Sequence, residues 1–597
     1  MSPSDIQAVL KRCSLFKRLH DDPLAAVAAI CSLREIPGGA CLMEEGQPSD
    51  ALYVVVSGRM RATSAGDPNP SDIGVLESIG DIGVAANGPR LASVHAVRDS
   101  VLLEMNGLDL LQALQPHPGA LFILMQQVVR RMQRILRRHH GPASSPLKTL
   151  TLIELWPGCG AAEFSRRLID CLREDREVCL IDAQRIEAEL GPGMSQAPFA
   201  ETAANRTLVR WLADMEQSHD VLILLPGEQH DEWWNRCLRQ ADAVLLLGEA
   251  DNPRIEPDVR QLLAQAPNLA SRELVLRRQP ERPLGDVLAL RDTVGAGGHH
   301  YWRSGRDEDV AAIARQLTGH GIGVVLGGGG ARGFAHIGLA RALSELNIPI
   351  DLFGGSSMGA FVAALWARNL SPRDMVQLCR ETFVDRNLLN DYVLPRVSLI
   401  RGRRFFNGLR DLFGDEQIEA LWRPYYCVST NLTAGRQFAH ESGDLATWVG
   451  ASMCIPGVAP PVGWNGDFHA DGGIVNNLPT DVMHRRGRGP VLACSVSTEG
   501  SVHCRGFTGP DPGVLYDWPL EQPRPTLFEI LTRTATLTSE SGTARRAELA
   551  DVFLKMPVPS VGMFAWEHID ELVRIGYEFG MRALLERRAL LLKPTQR

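Results

Sequence analysis

The sequence predicts a multidomain protein: a β-rich N-terminal part with helices, then two α/β parts with mostly parallel sheets. Its 597 residues exceed what one hydrophobic core accommodates. Short apolar runs separated by turn signals occupy the first part, whereas apolar runs alternate with helical patterns in the other two. Such alternation is typical of a parallel sheet. We therefore predict domains over residues 1–140, 147–317 and 321–597.

The composition is that of an ordinary globular protein, with 45% hydrophobic and 22% charged residues. A net charge of −8 argues against nucleic acid as a partner. The 12 cysteines are scattered without CxxC or zinc-ligand spacing, which indicates reduced thiols, a cytoplasmic location and no metal site. Because no apolar run reaches the roughly 18 residues that span a bilayer, any membrane contact is expected to be peripheral.

In the N-terminal part, the run ALYVVV at residues 51–56 reads as a strand between the turn signals PGG and SG. The stretch GALFILMQQVVRRMQRILRR, residues 119–138, reads as a helix because its apolar positions recur at spacings of three and four. Arginines crowd its last turns, where cations suit the helix dipole, and we interpret them as capping and solvation.

The middle part contains four apolar runs, TLTLIELW, VCLIDA, DVLILLP and AVLLLGEA, with helical stretches between them. Residues 156–160, WPGCG, stand where a phosphate-binding loop would lie after the first strand. The Gly-Lys-Ser/Thr that holds phosphates and magnesium is missing. We therefore expect a scaffold and no nucleotide hydrolysis.

The third part begins with a strand, GIGVVL, that runs into a glycine-rich loop and a helix. The loop fits the dinucleotide pattern G-x-G-x-x-G at Gly328, Gly330 and Gly333, so a dinucleotide site is a competing interpretation. That site needs an acid at the end of the next strand. Asp351 instead begins that strand, and this position argues against a dinucleotide site.

The next strand, IDLFG, ends in the turn GSSMG before another helix. With 56 glycines in the chain, about five glycine pairs at this spacing occur by chance, so the motif alone is weak. Its position between strand and helix is what a nucleophile elbow requires. Ser357, central between Gly355 and Gly359, is the predicted nucleophile, and Ser356 is a flanking residue.

An acyl-transfer serine also needs oxyanion donors and a base. The backbone N–H groups of the glycine run are candidate donors, and Arg332 either adds positive charge there or closes the helix start. Asp471 follows a short apolar stretch and precedes two glycines, so it stands at a turn. Taken alone, Asp-Gly is most simply a turn.

Together the motifs GGGARG (328–333), GSSMG (355–359) and DGG (471–473) resemble those of patatin-like phospholipases. The segments LWRPYYCVSTNLTAG and ASMCIPGVAPPV also resemble bacterial relatives of neuropathy target esterase. The resemblance implies an α/β/α catalytic domain with Ser357 as nucleophile and Asp471 as base, without histidine. It also implies an oxyanion hole formed by Gly328, Gly329 and Gly330. The further motif positions that it implies are Arg332, Gly333, Gly355, Gly359, Gly472 and Gly473.

The segments GQPSDALYVVVSGRMRA and SIGDIGVAANGPRLASVHA resemble a cyclic-nucleotide-binding domain, which implies a β-roll. Gly80 and Arg90 match the backbone and the arginine that hold the cyclic phosphate. Asp81 stands where the family usually has glutamate, which is one methylene longer. Weak binding, another ligand and a purely structural role all remain open.

The resemblance implies a serine lipid acyl hydrolase that cleaves phospholipids or lysophospholipids and needs no cofactor, with a cyclic nucleotide as candidate regulator. One alternative is a Ser-Asp-His triad, with His484, His503 or His568 as the third member. A second is a catalytically silent regulatory module that binds a cyclic nucleotide and a protein partner.

Residues 393–413, VLPRVSLIRGRRFFNGLRDLF, suggest how a lipid surface would be approached. Arginines meet phosphate head groups and aromatic side chains enter the interface, so Phe405, Phe406 and Phe413 are candidate membrane contacts. The alternative is a packed helix with a solvated basic face.

Overall fold

The computed structural model describes residues 2–65, 67–137, 147–199, 202–227, 230–266, 270–386, 388, 390–394, 396–497, 530, 533, 537, 539, 542–558 and 561–592. These residues form two compact units, Met1–Ala314 and Arg315–Arg597. The first unit contains the β-rich part and the middle sheet, and the second contains the serine and glycine motifs. The domain limits at 140, 147, 317 and 321 stay a prediction.

The N-terminal part of the first unit is a β-roll of two four-stranded antiparallel sheets, ordered β1-β8-β3-β6 and β2-β7-β4-β5. One core lies between strands, around Val55, Met60 and Leu102, and a second lies under the helices, around Leu10 and Phe16. The strands are β1 Ser32–Ile36, β2 Cys41–Met43, β3 Ala51–Ser57, β4 Met60–Ser64, β5 Asp67–Ile73, β6 Ser78–Ile79, β7 Ser93–Ala96 and β8 Ser100–Asn106. The helices are α1 Pro3–Arg12, α2 Asp21–Ala29, α3 Asp81–Ala86, α4 Gly107–Leu114 and α5 Pro118–Arg137.

The middle part is a six-stranded parallel sheet in the order β10-β11-β9-β12-β13-β14. Its strands are β9 Thr149–Glu154, β10 Val178–Ile181, β11 Val221–Leu224, β12 Ala243–Glu249, β13 Ser271–Arg277 and β14 Gly298–Trp302. Its helices are α6 Ala161–Arg173, α7 Ala183–Leu190, α8 Ala203–Ser218, α9 Glu232–Gln240, α10 Pro257–Gln265, α11 Val287–Val294 and α12 Asp307–Leu317. At the loop that resembles a phosphate site, the Arg277 guanidinium lies against Gly160 and pairs with Glu249.

A buried ion-pair network joins the β-roll to this sheet. The Asp242 carboxylate, fully buried, lies 3.1 Å from Arg98 Nε and 3.4 Å from Arg59 Nε. Burial would raise the Asp242 pKa, but the two arginines and the Lys148 and Thr149 N–H groups outweigh it, so the pKa falls below its usual range. Removing one partner of such a pair typically costs about 3–5 kcal/mol, which favours the two parts folding as one unit.

The second unit is built on an eight-stranded sheet, ordered β19-β20-β17-β16-β15-β21-β22, with β18 paired to β17. The pairs from β17 through β22 along this order are parallel, and β18, β19 and β20 are antiparallel additions. The strands are β15 Gly323–Leu326, β16 Leu352–Ser356, β17 Tyr425–Asn431, β18 Arg436–His440, β19 Val462–Trp464, β20 Asp467–Asp471, β21 Val491–Ser495 and β22 Val552–Lys555.

Helices cover both faces of this sheet, as expected for an α/β/α domain. The larger core lies under α13, α14 and α16, and a smaller one, around Tyr426 and Val482, lies on the face covered by α18. The helices are α13 Ala335–Glu345, α14 Met358–Ala367, α15 Pro372–Cys379, α16 Arg403–Phe413, α17 Leu445–Ser452, α18 Thr480–Arg486 and α19 Ile569–Leu592. Helices α13 and α19 approach closely because Gly338 and Gly576 present no side chain at their contact.

Candidate active site

The turn between β16 and α14 holds Ser357 in an unusual backbone conformation. Its φ of 53° and ψ of −128° lie outside the regions that non-glycine residues prefer. Such strain persists only where the surroundings impose it. Here the turn is too tight for side chains on either side: a Cβ at Gly355 would lie 2.6 Å from the Gly359 carbonyl carbon, and one at Gly359 would overlap the Leu326 carbonyl. The turn therefore has the strand-to-helix geometry that the motif predicts.

Ser357 Oγ donates a hydrogen bond of 2.8 Å to Asp471 Oδ2. Asp471 ends β20, and its other carboxylate oxygen accepts 2.7 Å from the Gly473 N–H. Burial raises the Asp471 pKa to about 6, although the Gly473 and Ser357 hydrogen bonds oppose this. Ser357 is thus hydrogen-bonded directly to a buried carboxylate whose pKa, about 6, is not far below neutral pH.

Two further contacts fix the backbone around this pair. The Ser357 N–H donates 2.9 Å to Ser452 Oγ, which itself donates 2.6 Å to the Val428 carbonyl. Ser356 is fully buried, and its Oγ lies against Gly472 without a hydrogen-bond partner among the described residues. Ser356 is therefore a packing residue in this geometry, and Ser357 faces the cavity.

The glycine-rich loop lies beside Ser357, but Gly328 is already engaged. Its N–H donates 3.2 Å to the Asn477 carbonyl, and Asn477 Nδ2 donates 3.1 Å back to the Gly328 carbonyl. The prediction that Gly328 supplies an oxyanion donor disagrees with this geometry, because its only N–H is used. The N–H groups of Gly329 and Gly330 make no hydrogen bond to any described residue.

Side chains from the helical segment that follows the glycine-rich loop hydrogen-bond to the carbonyl groups of that loop. His336, fully buried in α13, lies with Nε2 2.9 Å from the Gly327 carbonyl, and burial lowers its pKa to about 4. A neutral imidazole that donates from Nε2 fits this contact. Arg332 Nε donates 3.1 Å to the Gly329 carbonyl, so it closes the loop. Gly333 lies against the Met358 side chain.

An apolar cavity opens beside Ser357 and Gly330. Its walls include Phe383, Phe405, Ile455, Val458, Phe564 and Trp566. The proposed membrane contacts Phe405 and Phe413 are each 2% exposed, and Phe406 is half-buried. Because positions 405 and 413 fall on the same face of α16, they pack into the core, and the prediction that these rings enter a bilayer is wrong. Phe405 instead lines the cavity.

The competing interpretations find little support in the geometry. Asp351 is buried and accepts hydrogen bonds from Arg315 and the Ile322 N–H, at the opposite end of β15 from the glycine loop. Among the described residues, no imidazole lies between Ser357 Oγ and the Asp471 carboxylate, which are hydrogen-bonded directly. His568 is exposed and pairs with Glu571, His484 lies in α18, and His503 lies outside the described residues.

The predicted cyclic-nucleotide residues are brought together in the β-roll, but each has a partner. Arg90 is buried against Gly80, donates 2.8 Å to the Ala51 carbonyl and lies 3.4 Å from Asp50. Asp81 accepts 3.0 Å from Ser78 Oγ and lies 3.2 Å from Arg131 of α5. A ligand using Asp81 must therefore compete with Arg131.

Sequence reasoning missed three residues that support the candidate site: Ser452, Asn477 and His336. The only available signal was a polar residue inside an otherwise apolar or motif-rich stretch, such as His336 in FAHIGLARAL. That signal says a polar group is buried there, but it does not identify its partner.

Comparison with known proteins agrees with this architecture. Residues 33–117 match the cyclic nucleotide-binding domain, residues 146–284 the neuropathy target esterase family P-loop like domain, and residues 324–484 the patatin-like phospholipase family. The resemblances predicted from the sequence are therefore confirmed. No helix among the described residues has the length and apolar character needed to cross a membrane.

Similar full-length proteins are much longer than this chain. Patatin-like phospholipase domain-containing protein 6 of Homo sapiens is 28% identical over 611 residues, covering 91% of this chain and 44% of that protein. Lysophospholipase nte1 of Aspergillus fumigatus is 27% identical over 637 residues, covering 92% of this chain and 42% of that protein. The chain thus spans less than half the length of these relatives.

Among solved structures, the N-terminal domain of a transcriptional regulator from Streptomyces coelicolor matches 22% of this chain and 93% of that chain, with 30% identity and a TM-score of 0.20.

Proposed function

Because residues 324–484 carry a patatin-like phospholipase domain, we propose that this chain is a serine hydrolase that cleaves carboxylic ester bonds of phospholipids or lysophospholipids. The observation that carries the proposal is the 2.8 Å hydrogen bond from Ser357 Oγ to buried Asp471, beside an apolar cavity. An acyl chain suits that cavity. Lysophospholipids are included because the Aspergillus fumigatus relative is named a lysophospholipase.

In the proposed reaction, Ser357 Oγ attacks the ester carbonyl carbon while Asp471 accepts the hydroxyl proton. The carbonyl oxygen becomes an oxyanion, which the N–H groups of Gly329 and Gly330 stabilise. Collapse breaks the bond to the alcohol, which leaves with the proton from Asp471. Water, deprotonated by Asp471, then attacks the acyl-serine and releases the fatty acid and Ser357. Asp471 thus acts as base and then acid in each half of the reaction.

The test is to compare Ser357→Ala with the neighbouring Ser356→Ala on a panel of phospholipids, lysophospholipids and short esters. We expect Ser357→Ala to lower turnover by several orders of magnitude, because only binding and oxyanion effects remain. Ser356→Ala should be far milder. Equal losses would contradict the assignment of Ser357. Loss of turnover in a folded His484→Ala, His503→Ala or His568→Ala variant would favour a triad over the Ser-Asp dyad.

A fluorophosphonate probe distinguishes the proposed hydrolase from the alternative, a catalytically silent regulatory module. The hydrolase proposal expects covalent labelling of the unmodified chain that Ser357→Ala abolishes. A silent module would remain unlabelled.

Regulation by a cyclic nucleotide at Gly80, Asp81 and Arg90 stays a prediction, and it requires Arg131 to release Asp81. The cytoplasmic location also stays a proposal, based on the scattered cysteines.

We further propose that the enzyme meets lipid through the exposed loop that precedes α16. Tyr392, Leu394 and Val397 are 76%, 84% and 70% exposed. Arg396 and Arg401 are exposed in the same stretch. Exposed apolar side chains among arginines suit the interface of an anionic bilayer.

Backbone hydrogen bonds tie this loop to the cavity wall. The Leu399 N–H donates 2.8 Å to the Gly457 carbonyl, and the Ile400 N–H donates 3.0 Å to the Val458 carbonyl. Val458 lines the cavity beside Ser357. A lipid surface held at the loop would therefore lie next to a wall of the proposed acyl site, which favours direct transfer of a lipid into it.

A further inference from the structure

Two stacked aromatic rings close one end of the cavity beside Ser357. Phe383 and Trp566 both line the cavity, and their ring centroids lie 4.8 Å apart with the ring planes 26° from parallel. Phe334 and Phe361 are fully buried and pack against the Phe383 ring, with centroids 6.1 and 5.1 Å from it. Neither of these two is among the described residues that line the cavity. The stacked pair of Phe383 and Trp566 therefore separates the cavity from the core of the second unit.

The acyl chain of a bound ester would run toward this stacked pair. The ester carbonyl carbon must reach Ser357 Oγ, so the chain has to enter the apolar cavity beside it. The cavity wall at Val458 is tied to the exposed loop before α16, because the Val458 carbonyl accepts the Ile400 N–H. A chain that enters beside this loop stops where the two rings close the cavity against the core.

The main chain around Phe383 has a geometry that is rare in helices. Helix α15 continues as a π-helical segment, Arg380–Asp385, in which the Arg386 N–H donates 3.3 Å to the carbonyl of Glu381, five residues back. Phe383 lies within that wide turn and is 2% exposed. Isolated π turns of this kind occur frequently at functional sites. The segment is a second observation, independent of the cavity, that sets Phe383 apart from an ordinary core residue.

We propose that Phe383, held by its stacking on Trp566, determines the length of the acyl chain that the enzyme accepts. This role rests on the proposed function and adds a specificity to it. The ester carbon lies at Ser357, and the methyl end of the longest accepted chain meets the two rings. A longer chain is rejected because rings packed against a close-packed core cannot give way. A shorter chain binds less well because it buries less apolar surface.

The test is the ratio of kcat/KM between long-chain and short-chain p-nitrophenyl esters, measured in one detergent so that all esters are presented alike. Phe383→Ala removes the ring that stops the chain. It should raise this ratio by about fourfold for each methylene group that newly enters the cavity. Phe383→Leu removes less volume and should shift the ratio in the same direction. It keeps the test decisive where the alanine variant fails to fold.

Phe413→Ala and Phe413→Leu are the matched controls. Phe413 is also 2% exposed and also packs edge-on against Phe361, at 5.8 Å between centroids, but it is not among the described residues that line the cavity. These variants should lose stability as the Phe383 variants do, yet leave the ratio unchanged. An unchanged ratio in active Phe383→Leu, or an equal shift in Phe413→Leu, would overturn the role of Phe383 and leave the proposed hydrolase intact. Absence of turnover of every ester by the unmodified chain would overturn both.

Discussion

At the scale of single residues, Asp471 is subject to opposing requirements of stability and reactivity. A buried carboxylate without a cation is more easily protonated, and burial raises the Asp471 pKa from its ordinary 3.8 to about 6. A higher pKa makes Asp471 a stronger base for the Ser357 proton. The same shift means that ionising Asp471 above pH 6 opposes folding.

Activity and stability should therefore change in opposite directions with pH. We expect ester hydrolysis to rise with pH around a midpoint of about 6, since the base must be unprotonated. The native state binds more protons than the unfolded chain between pH 3.8 and about 6, so this residue's contribution to stability is lost as pH rises through that window. Across the whole window, the loss of this residue's contribution to the free energy of unfolding is at most about 3 kcal/mol.

Asp471→Asn separates the two effects. It should abolish turnover yet raise the thermal unfolding midpoint at pH 8, with a smaller change at pH 4. The control Asp21→Asn removes an exposed carboxylate paired with Lys11 and should leave the midpoint nearly unchanged. A lower midpoint for Asp471→Asn at pH 8 would show that burial does not dominate the energetics of this carboxylate.

The residues of the candidate site differ in how far the sequence predicts them. Ser357 and Asp471 stand in motifs whose local turns are encoded by neighbouring glycines. Ser452 and Asn477 could not be predicted, because their role depends on strands and loops brought together only by the folded sheet. The same holds for the loss of Gly328 as a donor, since its acceptor is the backbone of a residue 149 positions away.

At the scale of elements, the nucleophile turn depends on how closely α14 approaches β15. A methyl group at Gly359 would overlap the Leu326 carbonyl, which is backbone and has little room to move. We expect Gly359→Ala to destabilise the fold by about 1–3 kcal/mol or more through overpacking, and to lower turnover by displacing Ser357. Thermal unfolding and ester hydrolysis measure the two effects.

Gly463→Ala is the matched control for this substitution. Gly463 lies in strand β19, and the nearest atom to an added Cβ is 3.9 Å away, an ordinary contact. Stability and turnover should stay close to those of the unmodified chain. If both alanine variants behaved alike, close packing at Gly359 would not be what shapes the turn.

Elements with continuous apolar runs were predictable, and those with buried polar residues were not. Strands β9 to β12 correspond to the four apolar runs. Strands β13 and β14 were missed because Glu273 and His300 interrupt their patterns. In the fold these two side chains lie 3.4 Å apart and are both buried, so their compatibility depends on pairing between strands and not on either segment alone.

At the scale of the whole molecule, the proposed lipid contact should be separable from the chemistry. We expect Arg396→Gln with Arg401→Gln to weaken binding to phosphatidylserine vesicles, by about fivefold per arginine at low salt. Leu394→Ser with Val397→Ser should weaken it at all salt concentrations. Vesicle sedimentation and turnover on vesicles measure these effects.

Hydrolysis of a soluble short-chain ester is the internal control, because these substitutions leave Ser357 and Asp471 intact. Leu91→Ser, at an exposed site in the first unit, controls for the general loss of an apolar surface group. If hydrolysis of the soluble ester fell together with vesicle turnover, the loop would be structural and the lipid contact would be wrong.

The cavity beside Ser357 is assembled from distant parts of the chain, and this has a consequence for biosynthesis. Its walls include Gly330 near the start of the second unit and Met563, Phe564 and Trp566 near its end. The Ala331 N–H donates 2.8 Å to the Met563 carbonyl, so the glycine loop itself is tied to this late segment. Domains form as their residues emerge from the ribosome. A nascent chain can therefore expose the serine turn well before the cavity beside it forms. The proposed hydrolase would become active only when synthesis of the domain is nearly complete.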